Sequence, residues 1–107
     1  MQNTTLNHRR DTYHLPRQQA KLTPIDLDLI RTFKTLCRLD NLQTFTSDDF
    51  RMYGLDRYLK DKAHGIGGTF ARWIVNGVIV ETGLWRRSGL ASNHGRKVRV
   101  YRWSQKQ

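Results

Sequence analysis

Between residues 23 and 39 apolar residues recur at a helical period. Leu29, Ile30, Phe33, Leu36 and Cys37 form one stripe, and Arg31, Lys34 and Arg38 fall mostly off it. Thr23 is placed to cap this first helix, Pro24 suits its first position, and Asp26 stands three residues after the cap. Asp26 and Asp28 also face the positive end of the helix dipole. Leu42–Phe45 reads as a short extended segment, and Thr46 with Asp49 repeats the capping signal for a second helix, Ser47 to about Tyr53. Gly54 is its natural stop. Leu55, Tyr58 and Leu59 fit a further helical turn. The run Gly65-Ile66-Gly67-Gly68 argues against regular structure, so a third helix is expected only from Phe70 to Asn76, capped by Thr69, with Phe70, Trp73 and Ile74 inward.

After Gly77 the period changes. Residues 78–85 and 97–103 are rich in β-branched and aromatic residues, and the polar, glycine-bearing stretch 86–96 between them predicts a β-hairpin with a long tip. In the second strand Val98 and Val100 share a face, expected to pack on the helices, with Lys97, Arg99 and Tyr101 on the other. The order helix, short strand, helix, helix, strand, loop, strand predicts an α+β fold of the winged helix-turn-helix kind: three helices, a short strand and a C-terminal hairpin wing. Residues 21–107 would form this domain. Residues 1–20 hold little to bury and read as a flexible basic arm carrying Arg9, Arg10 and Arg17.

Charge sharpens the picture. The 107 residues carry 19 Lys and Arg against 9 Asp and Glu, a formal charge of +10. Such an excess favours polyanionic partners. From Thr82 onward every charged side chain is basic, while Asp26, Asp28, Asp40, Asp48 and Asp49 cluster earlier. One end of the folded domain should be strongly positive. Cys37 is the only cysteine, so an internal disulfide is impossible and nothing points to an oxidising compartment. No apolar run approaches the ~20 residues of a membrane span. These features lead to the expectation of a cytoplasmic protein without a membrane partner.

Three segments carry a resemblance: Phe45-Thr46-Ser47-Asp48-Asp49, Asn76-Gly77-Val78-Ile79, and His94-Gly95-Arg96-Lys97-Val98-Arg99-Val100-Tyr101. From Phe45 onward the chain resembles small winged-helix proteins common in bacteriophage genomes. The resemblance implies a winged-helix fold and a DNA-related role, but no target sequence. Members often have prolines before the third helix, where this chain has its glycine run.

On this reading Thr69 and Arg72 of the third helix face the major groove, where Arg72 suits a guanine edge or a phosphate. Lys60 and Lys62 add charge in the preceding loop. The wing supplies Arg86, Arg87, Arg96, Lys97 and Arg99 for phosphates, with Ser88, Asn93 and His94 as further donors. Trp85, Tyr101 and Trp103 lie near this surface and are expected to pack rather than stack on bases. The histidines lack metal-ligand spacing, Asp48 and Asp49 fit helix capping better than acid–base chemistry, and no nucleophile–base pair is visible. A non-enzymatic duplex-DNA-binding protein follows, with neither cofactor nor metal, such as a phage or mobile-element regulator or replication accessory. The alternatives are a protein-interaction module docking an acidic partner and an RNA-binding module. A homodimer remains open.

Overall fold

A computed structural model of the chain describes residues 21–59, 65–90 and 95–105. The expected arm at 1–20, Lys60, Lys62, Asn93 and His94 lie outside them. Among the described residues the chain folds into three α-helices, a 3-10 turn and a three-stranded antiparallel sheet. In order these are α1 (Pro24–Leu39), β1 (Thr44–Phe45), α2 (Ser47–Met52), the 3-10 turn (Leu55–Tyr58), α3 (Gly65–Val75), β2 (Ile79–Arg87) and β3 (Lys97–Trp103). The sheet order is β1-β3-β2. No described helix is long and apolar enough to cross a membrane.

Both capping signals are realised. The Thr23 hydroxyl accepts from the Asp26 N–H at 3.1 Å, and the Asp26 carboxylate accepts from the Thr23 N–H at 2.9 Å. Thr46 and Asp49 form the second box, with the Thr46 N–H donating to the Asp49 carboxylate at 2.8 Å. Each box satisfies amide donors that the first helical turn cannot. Gly54 adopts φ +74°, a left-handed conformation that a Cβ would penalise, and turns the chain from α2 into the 3-10 turn.

The core is aromatic. Phe33 of α1 sits at its centre, with ring centroids 4.8 Å from Phe45, 5.2 Å from Phe50, 5.6 Å from Trp103 and 6.2 Å from Phe70. Most of these pairs meet edge to face, the arrangement that the ring quadrupoles favour. Cys37 is buried on the same stripe, and burial pushes its thiol pKa up to about 11.

Two expectations are corrected here. First, α3 begins at Gly65, so the glycine run lies inside the helix. Gly65 enters it through φ +52°, a conformation that favours glycine. Burial of Ile66, Phe70 and Trp73 then outweighs the weak helix propensity of three glycines. Thr69 caps nothing. It is an interior residue, 3% exposed, and its hydroxyl donates to the Gly65 carbonyl at 3.1 Å. Second, the face of β3 that meets the helices is the one bearing Tyr101 and Trp103. Tyr101 packs on Phe45 and Phe70, and Trp103 on Phe33 and Trp73. Val100 is buried outside that cluster and Val98 is half-buried. The two aromatics offer more area to bury than the two valines, so they decide which face turns inward.

Candidate nucleic-acid interface

The hairpin extends beyond the part of the sheet that the helices cover. Ile79 pairs with Trp103 and Glu81 with Tyr101 in the covered part; Trp85 pairs with Arg99, Arg86 with Val98 and Arg87 with Lys97 in the extension. Because side chains alternate along a strand, Trp85, Arg87, Lys97 and Arg99 share one face, and Arg86 points to the other. The two parts are joined by a bulge in which Thr82, Gly83 and Leu84 stand opposite Val100 alone. Gly83 takes φ +86° there. Thr82 pins the bulge: its hydroxyl donates to the Val100 carbonyl at 2.9 Å and accepts from the Leu84 N–H at 3.1 Å. Bulges re-aim the residues that follow them, and this one delivers Trp85 and Arg87 to the edge of the domain.

Positive charge concentrates on this extension. Arg86, Arg87, Arg96 and Lys97 on it, and Arg102 on the outer face of the covered part, are all exposed. Among the described residues none of the five makes an ion pair. Arg86 donates to the Thr44 hydroxyl at 3.1 Å, and the Arg87 guanidinium lies beside Gly95 at the far end of the loop. Arg99 is the exception: its guanidinium bonds the Glu81 carboxylate at 2.6 Å and lies 5.2 Å from the centroid of the Trp85 ring. It is therefore a partly neutralised cation fixed in place, not a free phosphate ligand.

The base of the loop is closed on itself and tied to α2. The Ser88 N–H donates to the Arg96 carbonyl at 2.7 Å, and the Gly89 N–H to the Asp48 carboxylate at 3.1 Å. Asp48 is thus more than a charge in the first turn of α2, since it ties that turn to the hairpin. Ser88, expected as a donor to a ligand, is buried and its hydroxyl accepts from the Leu90 N–H at 3.2 Å. It shapes the loop instead of facing outward.

The largest correction concerns α3. Arg72 does not project into solvent. Its Nε and Nη2 each donate to the Asp26 carboxylate at 2.8 Å, a bidentate pair that leaves the Arg72 side chain 23% exposed and Asp26 1%. The Trp73 indole N–H adds a third bond to that carboxylate at 3.2 Å. Burial opposes ionisation of Asp26. The bonds from Arg72, the Thr23 N–H and Trp73, with the Arg72 charge, outweigh it and hold the carboxyl below its ordinary value. Arg72 therefore joins α3 to the start of α1. With Thr69 also buried, neither expected base-reading side chain is available. The exposed residues of α3 and the turn after it are Gly67, Val75, Asn76 and Gly77, none of them charged.

Among the described residues no group of three or more His, Cys, Asp or Glu side chains is placed to hold a metal ion. Sequence reasoning missed two features of the interface. One is the exposure of Trp85, 56% of whose surface is open, where packing was expected. The other is the outward-facing Arg102, set opposite Thr44 and Val80 in the sheet. Alternation within β3 sets Arg102 on the face of Val98 and Val100, so its exposure follows only once Tyr101 and Trp103 are known to face the helices; nothing local signals that Trp85 lies beyond them. The chain matches no family model, and neither curated proteins nor solved structures yield a match to it.

Proposed function

We propose that this chain is a winged-helix protein that binds nucleic acid, duplex DNA foremost, through its β2–β3 hairpin, and that it acts by binding alone. The element order and the sheet order β1-β3-β2 support the winged-helix reading, because that fold places its short first strand beside the last strand of the wing hairpin. The observation that carries the function is the charge of the hairpin. Arg86, Arg87, Arg96 and Lys97 crowd onto one short extension without a described acid to neutralise them. Like charges held this close repel one another, and a phosphate backbone relieves that repulsion while releasing its condensed counterions.

The contact is a backbone grip. Phosphate contacts position a protein without reading sequence. With Arg72 and Thr69 committed to the interior, α3 offers little for direct readout of bases, and preference among duplexes would be weak. A phage or mobile-element regulator or replication accessory fits such a protein. The test is a titration of labelled duplex DNA, matched duplex RNA and polyglutamate, each against salt concentration. Binding of duplex DNA whose logarithm falls linearly with the logarithm of salt supports the reading. Tighter binding of polyglutamate than of DNA refutes it in favour of an acidic protein partner, and tighter binding of RNA refutes the choice of DNA.

A further inference from the structure

Of the three tryptophans, Trp73 is fully buried and Trp103 packs against the core, whereas Trp85 is 56% exposed. An indole left in solvent forgoes the burial that large aromatics ordinarily gain. Its setting is built nonetheless. The bulge at Thr82–Leu84 is pinned by the Thr82 hydroxyl, the Arg99 guanidinium lies over the ring, and Glu81 holds Arg99 there. One face of the indole is thus backed by an anchored cation, and more than half of the residue's surface stays open. Two residues along the strand, on the same sheet face, Arg87 stands opposite Lys97.

We propose that Trp85 is a stacking platform for an unpaired base, so that the hairpin's preferred ligand is DNA with a single-stranded segment beside a duplex. This rests on the hairpin binding nucleic acid, and it names what the hairpin selects. Inside a duplex both faces of each base are covered by its neighbours, and an indole has nothing to stack on. A base in a single-stranded segment has a free face, and base–aromatic stacking is indifferent to its identity. Arg87 and Lys97 hold phosphates beside the stacked base, so charge supplies attraction to any DNA while Trp85 distinguishes unpaired from paired. Preorganisation by Arg99 reduces the ordering that stacking requires.

The experiment compares three labelled ligands by fluorescence anisotropy: a blunt duplex, the same duplex with a thymidine overhang, and that duplex with an abasic overhang of equal length. The abasic overhang keeps the phosphates and removes the bases. The wild-type protein is expected to bind the thymidine overhang about tenfold more tightly than the abasic one. Trp85→Ala should erase that difference, and Trp85→Phe should restore part of it. Trp85 lies in solvent, so both variants should keep the wild-type circular dichroism. If the abasic overhang binds as well as the thymidine overhang, or if the difference survives in Trp85→Ala, stacking is overturned while backbone binding by the hairpin stands. If no ligand binds, the hairpin reading itself falls.

Discussion

Replacing Arg72 with alanine separates a structural arginine from a base-reading one. In the folded protein the Asp26 carboxylate is 1% exposed and accepts two bonds from Arg72, one from the Thr23 N–H and one from Trp73. Arg72→Ala removes the countercharge and half of those bonds, leaving a buried carboxylate with two neutral donors. Breaking one side of a buried pair costs about 3–5 kcal/mol, and the partial exposure of Arg72 lowers the expectation here to about 2–4 kcal/mol. Against a total stability of about 5–15 kcal/mol this is a large fraction, and it corresponds to a fall in Tm of about 10–20 °C for a domain of this size. The loss should depend on pH. The folded-state pKa of Asp26 lies below its ordinary value, so its contribution is present above the unfolded pKa and fades as pH falls through the folded one. In Arg72→Ala that pKa moves up. The gap between variant and wild type should therefore be widest near neutral pH and should shrink on acidification through the carboxylate range. Thermal melts followed by circular dichroism across that range measure it. A variant that melts with the wild type at neutral pH would refute the structural role and return Arg72 to the list of ligand contacts.

Two further outcomes follow from other parts of the fold. Gly83→Ala should cost about 1–2 kcal/mol, read as a lower denaturation midpoint, because φ +86° disfavours any Cβ although no neighbouring atom lies within 4 Å of it; an unchanged midpoint would mean that the bulge relaxes freely. Cys37, 1% exposed and with its thiol pKa pushed up by burial to about 11, should resist thiol-specific labelling at neutral pH until denaturant is added; rapid labelling of the native protein would show that α1 opens readily.

The elements that the sequence made legible are those whose signals are local. Thr23 with Asp26 and Thr46 with Asp49 mark helix starts within four residues, and the β-rich runs around a polar, glycine-bearing loop mark the hairpin. What was hidden depends on distant partners. Gly65-Ile66-Gly67-Gly68 looks like a break in isolation, but Ile66 and Phe70 reach a core formed by α1 and the sheet, and the helix extends to meet it. Arg72 reads as a surface cation until Asp26, 46 residues earlier, is brought beside it. Trp85 reads as a packing residue because its pattern does not reveal where the helices stop covering the sheet. In the candidate interface the basic positions 86, 87, 96 and 97 are where the pattern places them, while local loop and helix periodicity turns Ser88, Thr69 and Arg72 outward because it carries no sign of their buried partners.

The central claim, that the hairpin grips a phosphate backbone, is tested most directly by the salt dependence of duplex binding. Wild type, Arg87→Ala, Lys97→Ala and Arg31→Ala, the last altering a cation of α1 outside the hairpin, would be titrated with one blunt duplex at a series of salt concentrations. Each hairpin variant should bind more weakly and lower the slope of log affinity against log salt by about one unit, the counterions of a single phosphate contact, irrespective of duplex sequence. Arg31→Ala should keep the wild-type slope. Hairpin variants that match the wild type in affinity and slope at every salt concentration would contradict the claim.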